Sequence, residues 1–172
     1  MTTDPSRRMS VDFIARHVDL LPSELAWGYR SGYVDDRDVV RLAELTITNG
    51  YSGSPALEEL SLLLRDEIGR VPDLVDRLTD APTGVVPTPA RVWLFLVLSL
   101  AWEQRQDSAD AFAGLEEIYA DFDYPEEMEG FVPFLPAPAG REPGRAALEM
   151  RWSAYLADRR HEFAHRLRPS EA

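Results

Sequence analysis

Cysteine and lysine are both absent from this chain of 172 residues. Without cysteine there can be no disulfide, no thiolate nucleophile and no cysteine-ligated zinc. Without lysine there can be no Schiff base on a lysine amine and no phosphate-binding loop of the lysine-containing type. All 18 basic residues are therefore arginines, and catalysis by imidazole is restricted to three histidines. These absences exclude several common enzyme classes.

Long apolar runs are also missing. The longest, from Val92 to Trp102, covers eleven residues and includes a serine, whereas a membrane-spanning helix needs about 20 apolar residues. The arginines near the N-terminus have no apolar stretch behind them, so the sequence does not predict a signal peptide. We therefore expect a cytoplasmic protein without a membrane partner.

Positive charge is scarce relative to negative charge, and the net charge at pH 7 is −12. Residues 151–172 carry +2, so the first 150 residues carry −14. Such a field repels nucleic acid and speeds the encounter with a basic protein. The same charge also keeps a protein in solution without any partner. We expect no nucleic-acid partner, and both explanations of the acidity stay open.

Helix signals recur along the sequence, and no pair of strands with a hairpin signal is present. Ser10, Asp35 and Ser54 each stand where a side chain can cap a helix N-terminus, and Thr88-Pro89 repeats a cap followed by a first-turn proline. The segment after Pro89 is apolar all round, which is typical of a helix buried on most sides.

The predicted fold is all-α, a single compact domain of seven to nine helices around a central apolar helix at about 89–105. We predict a flexible N-terminus over 1–9, a helical domain over 10–167 and a flexible C-terminus over 168–172. Prolines and glycines predict a surface loop over 132–144.

Three helix boundaries within this fold follow from the apolar spacing and are tested below. One helix is predicted from Pro55 to about Ile68, another from Asp107 or Ser108, and a last one from about Arg145 to Leu167.

The stretch from Leu115 to Pro138 is the most distinctive part of the chain, because five carboxylates fall within nine residues and alternate with aromatic residues. Asp123 to Glu126 fits a capping-box-like start, with Asp123 as the cap, and predicts a short helix to about Gly130. Carboxylates near a helix start also complement the helix dipole, which would account for Asp123 and Glu126. Acid mixed with tyrosine and phenylalanine is also typical of a contact surface for a basic protein. The predicted partner-binding residues are Asp121, Asp123, Tyr124, Glu126, Glu127, Glu129 and Phe131.

The C-terminal string HEFAH, from His161 to His165, matches the zinc-protease signature HExxH. Two histidines four residues apart can bind one metal ion while Glu162 activates water. On this helix, however, Trp152 and Phe163 lie on the apolar side and His161 falls roughly opposite them. His165 also lies well off that side, so we predict that both histidines face water and that the protein holds no metal or other cofactor. A metal-dependent hydrolase that uses this motif is the alternative.

Three segments resemble an uncharacterised bacterial family, the domain of unknown function numbered 2247. They are EEIYADFDYPEEMEGFVPFLP at 116–136, ELAWGYRSGYVDDRDVVRLAE at 24–44 and LSLLLRDEIGRVP at 60–72. With the central helix they cover most of residues 10–138, and HEFAH lies outside them. The resemblance implies a compact helical bacterial protein and supplies no catalytic residues.

These observations predict a non-catalytic acidic binding protein. Its small, acidic, cysteine-free helical build is similar to that of immunity proteins that neutralise bacterial toxins, so a basic toxin is the specific partner we expect. A metal-dependent hydrolase and a structural or regulatory subunit of an oligomer are the alternatives. The sequence does not predict an oligomeric state.

Overall fold

The computed structural model describes residues 8–79, 88–107, 110–135, 140, 144–164 and 166–167. These residues form eight α-helices and two 3-10 helices, with no strand among them. The prediction of an all-α fold with seven to nine helices is confirmed. The α-helices are α1 Val11–His17, α2 Pro22–Arg30, α3 Asp36–Thr48, α4 Pro55–Ser61, α5 Val71–Asp76, α6 Pro89–Gln104, α7 Leu115–Asp121 and α8 Arg145–Phe163, and the 3-10 helices are Arg65–Arg70 and Glu126–Met128.

Capping side chains start the helices where the sequence predicted. The side chains of Ser10, Asp35 and Ser54 accept hydrogen bonds from backbone N–H groups in the first turns of α1, α3 and α4. Burial alone would raise the pKa of Asp35, but these N–H donors and the Arg8 guanidinium outweigh burial and lower that pKa below its ordinary value.

The helix predicted from Pro55 to about Ile68 is wrong in its second half. Helix α4 ends at Ser61, and Leu64 is 65% exposed. The backbone N–H of Leu64 donates to the Glu67 carboxylate at 3.2 Å, which starts the separate 3-10 helix Arg65–Arg70. The apolar spacing continued through this break, but the local carboxylate stabilised a new helix start.

Other predicted boundaries also needed correction. Helix α7 begins at Leu115 instead of Asp107 or Ser108, because Gly114 adopts a left-handed conformation (φ 86°) just before it. Helix α8 ends at Phe163 and does not reach Leu167. Ser108 and most of the predicted loop over 132–144 lie outside the described residues.

Helix α6 is the central apolar helix that the sequence predicted. Six of its side chains are almost fully buried, namely Val92, Trp93, Leu94, Phe95, Leu96 and Leu98. Of the helices that the structure describes, none combines the length and the apolar content needed to cross a bilayer.

Contacts between residues divide the chain into two compact units. The first unit consists of residues 1–93 and 163–172, and the second unit consists of residues 94–162. The domain boundaries predicted from the sequence remain a prediction.

The first unit contains an aromatic stack built around Trp93. The ring of Tyr33 lies 5.1 Å from that of Trp93 at an interplanar angle of 11°, and the ring of Trp27 lies 6.0 Å from that of Tyr33. The indole N–H of Trp93 donates to the backbone oxygen of Glu24 at 2.7 Å. A Cβ atom at Gly28 would lie only 1.9 Å from Trp93 Cζ2, so only glycine lets α2 approach this indole.

The C-terminal residues of the first unit are held by two buried carboxylates. Glu24 is fully buried and pairs with the guanidinium of Arg166, whose side chain is 16% exposed. The Nε of Arg166 also donates to the backbone oxygen of Asp19 at 2.8 Å. The buried Asp19 carboxylate accepts a hydrogen bond from Asn49 at 2.8 Å. The two Arg166 contacts fix this residue to α2 and to the loop between α1 and α2.

The core of the second unit is aromatic and centred on Trp152 of α8, which is fully buried. The ring of Phe131 stacks on it at 6.2 Å and 5°, and the ring of Trp102 meets it edge-on at 5.0 Å. Phe112 packs against the same indole at 6.1 Å. Aromatic contacts of this kind stabilise a core beyond simple area burial.

Candidate partner-binding surface

The distinctive acidic stretch lies on the second unit, between the end of α7 and residue 135, and exposes much of its polar side. Four of its carboxylates are exposed, and the side chains of Tyr124 and Phe134 are 61% and 52% exposed. We call this the acidic-aromatic surface. Its members are Asp121, Asp123, Tyr124, Glu126, Glu127, Glu129 and Phe134.

The backbone after α7 forms a Schellman motif. The N–H of Tyr124 donates to the oxygen of Tyr119 at 2.8 Å, and the N–H of Asp123 donates to that of Ala120 at 3.1 Å. This motif normally has glycine at the position that Asp123 occupies, because the backbone there is left-handed. Here Asp123 (φ 60°) and Tyr124 (φ 56°) both adopt that conformation. Two consecutive non-glycine residues in this region store backbone strain.

The buried ring of Tyr119 supports both exposed rings. The ring of Tyr124 meets it edge-on at 5.2 Å, and that of Phe134 does so at 6.1 Å. Burial raises the pKa of the Tyr119 hydroxyl, and the charge of Glu129 and the neighbouring Tyr124 raise it further. The two exposed aromatic side chains are thus held in fixed positions next to negative charge.

The underside of the segment is anchored in the core. Met128, Phe131 and Val132 are at most 2% exposed. Phe131 lies 5.4 Å from the ring of Tyr155 and also stacks on Trp152. The prediction that Phe131 lies on the contact surface is therefore corrected, because this side chain anchors the segment from inside.

A helix cap does not explain the carboxylates. The predicted short helix to Gly130 is only the 3-10 helix Glu126–Met128, and its N-cap residue, Pro125, makes no side-chain capping bond. The capping role predicted for Asp123 is therefore wrong. Asp121, Asp123, Glu126 and Glu129 are exposed, and Glu127 is half-buried.

Replacing Asp123 with glycine should stabilise the fold. Glycine adopts the left-handed conformation without steric cost, so we expect the free energy of unfolding to rise by roughly 0.5–1 kcal/mol. The matched control is Asp121→Gly, which places glycine inside the last turn of α7 and should lower stability by a similar amount. Chemical denaturation measures both changes. A stability loss in Asp123→Gly would show that the left-handed backbone at this position carries no strain.

The zinc-protease motif is only partly described. His161 is exposed, as the helical spacing predicted, and Glu162 forms an ion pair with Arg159 at 2.5 Å. His165 lies outside the described residues. Across the part of the chain that the structure describes, no three acidic or imidazole side chains come close enough to hold a metal ion.

Sequence reasoning missed two contributors to the acidic-aromatic surface. Phe134 was predicted to lie in a loop, and its position between two prolines was the only signal in the sequence that set it apart. Tyr119 is buried in α7, and its position beneath Tyr124 depends on the Schellman turn. No spacing rule reveals such a turn when glycine is absent.

Comparison with known proteins gives one match. The family model described as an uncharacterized protein conserved in bacteria, DUF2247, matches residues 11–160. The match includes most of α8 and ends just before His161. No curated protein and no solved structure matches the chain.

Proposed function

The chain belongs to DUF2247, a family of uncharacterised bacterial proteins, and we propose that it is a non-catalytic, cytoplasmic protein that binds a basic protein through its acidic-aromatic surface. The observation that carries this proposal is Tyr124. Its backbone is strained, and the residue is 61% exposed and is surrounded by carboxylates. Backbone strain of this kind clusters at functional sites, where the surrounding structure maintains it.

The composition of the surface suits a protein partner. Rigid tyrosine and phenylalanine rings provide apolar contact area at little entropic cost, and they are enriched at binding hot spots. The surrounding carboxylates select a basic partner and increase the association rate. The net charge of −12 also attracts a basic partner over a longer range.

The specific form of this function is an immunity protein that neutralises a basic bacterial toxin. The support is the acidic charge together with the small helical build, which is an argument from analogy. On this proposal the partner is a basic protein encoded beside this chain, and binding blocks its activity without any chemical reaction.

The test is co-expression with basic proteins encoded by the adjacent genes, followed by co-purification. We expect a complex that weakens as ionic strength rises, because exposed charges are screened within about 10 Å at 0.1 M salt. The variant Glu126→Arg/Glu129→Arg should weaken binding by at least about tenfold, which corresponds to about 1.4 kcal/mol.

A matched variant separates local contact from overall charge. Glu44→Arg/Asp73→Arg makes the same charge change at two exposed positions of the first unit and should leave the affinity within about twofold of the native value. Circular dichroism checks that both double variants are folded. Equal losses of affinity in the two variants would contradict the proposed surface. Unchanged affinity in Glu126→Arg/Glu129→Arg would also contradict it.

A further inference from the structure

A second surface feature lies on the first unit, where α4 stops and the 3-10 helix Arg65–Arg70 begins. A half-open cavity of about 450 Å³ lies between this break and α3. Its apolar lining comes from the connection after α4, from the 3-10 helix and from α3. The lining residues are Arg37, Val40, Arg41, Leu63, Leu64, Arg65 and Ile68.

The cavity carries positive charge on a strongly acidic chain. All three of its charged residues are arginines, and all three are exposed. Arg37 and Arg41 are four residues apart on α3, so their side chains lie on one face of the helix, and Arg65 lies at the start of the 3-10 helix. Guanidinium groups bind carboxylates with two parallel hydrogen bonds.

Competition from the protein's own carboxylates is weak. Arg41 pairs with Asp12 at 3.2 Å, but these side chains are 62% and 80% exposed. Such a solvated pair contributes little, so a ligand carboxylate can replace it. The apolar part of the cavity is also incompletely covered, since Leu64 is 65% exposed. Both the charged and the apolar groups of the cavity are thus available to a ligand.

We propose that this cavity binds a small amphipathic acid, a medium-chain monocarboxylate whose carboxylate lies between the arginines and whose chain covers Val40, Leu63 and Leu64. The cavity volume falls within the range of small-molecule sites, roughly 300–1,000 Å³. An apolar lining with a few convergent charged groups is the usual composition of such sites. This site is independent of the acidic-aromatic surface.

Octanoate is the probe for the test, with acetate and 1-octanol as controls that lack the chain and the charge respectively. We expect saturable binding of octanoate to the full chain, with a dissociation constant of about 0.1–1 mM. The amide NMR shifts that change should be those of residues 37–41 and 63–68. Acetate and 1-octanol should each bind at least about tenfold more weakly.

The variant Arg37→Gln/Arg65→Gln should weaken octanoate binding by at least about tenfold. Arg16→Gln removes an exposed arginine of the same unit that does not line the cavity, and it should bind octanoate as the native chain does. The proposal would be overturned by amide shift changes outside residues 37–41 and 63–68, or by 1-octanol binding as tightly as octanoate. Unchanged octanoate affinity in the double variant would also overturn it. Binding of a glutamate-rich peptide at these residues, with no binding of octanoate, would also overturn it.

Discussion

Replacing Gly28 with alanine is expected to lower the free energy of unfolding by about 3 kcal/mol. The new methyl group would lie 1.9 Å from one ring carbon of Trp93 and 2.3 Å from another. Trp93 cannot move away easily, because it is fully buried, stacks on Tyr33 and donates a hydrogen bond to Glu24 O. Chemical denaturation followed by circular dichroism measures the change.

The matched control is Gly69→Ala. Gly69 lies in the exposed 3-10 helix Arg65–Arg70, and a Cβ there meets nothing within 4 Å. The free energy of unfolding of the Gly69→Ala variant should differ from the native value by less than about 0.5 kcal/mol. Equal denaturation midpoints for Gly28→Ala and Gly69→Ala would show that α2 and Trp93 do not approach as closely as described.

Replacing Arg166 with methionine is expected to cost about 3–5 kcal/mol. Methionine keeps an apolar stem but removes the guanidinium beside Glu24, a carboxylate that is fully buried. It also removes the donor to Asp19 O. Burying a charge after its ionic partner is removed is among the largest single-residue penalties in proteins.

Two variants check this explanation. Arg30→Met removes an ion pair with Asp76 in which the side chains are 55% and 74% exposed, and it should cost no more than about 1 kcal/mol. Adding Glu24→Gln to Arg166→Met should restore part of the lost stability, because the buried group is then neutral. A loss from Arg166→Met no larger than that from Arg30→Met would contradict a buried ion pair.

Local chemistry made much of the fold predictable. The caps at Ser10, Asp35 and Ser54 act through hydrogen bonds to nearby N–H groups, so the sequence alone was enough to place them. The break after Ser61 was not predictable from apolar spacing, because Leu64 and Ile68 continued the stripe. Whether the helix continues or breaks there depends on which is more stable, one long helix or a second helix start.

The acidic-aromatic surface was only partly predictable for a similar reason. Composition identified the carboxylates and Tyr124, but side-chain burial depends on long-range packing. Phe131 looked like a surface residue until Trp152, 21 positions later, proved to stack on it. The left-handed turn at Asp123 was equally unpredictable from the sequence, since the usual signal for such a turn is glycine.

Part of the family resemblance is explained by folding alone. The segment 24–44 contains Glu24, Gly28 and Tyr33, which all contact Trp93 or its neighbours in the first unit. These residues are needed for packing and imply no reaction. The exposed residues Asp123, Tyr124, Glu126 and Glu129 lie outside this packing, and the proposed function rests on them.

Hydrogen–deuterium exchange of the complex with the co-purified basic protein tests that function most directly. We predict that the partner slows exchange in residues 121–135 and leaves the exchange of α3 and α4 unchanged. Slower exchange confined to the first unit, with residues 121–135 exchanging as they do in the free protein, would contradict the account.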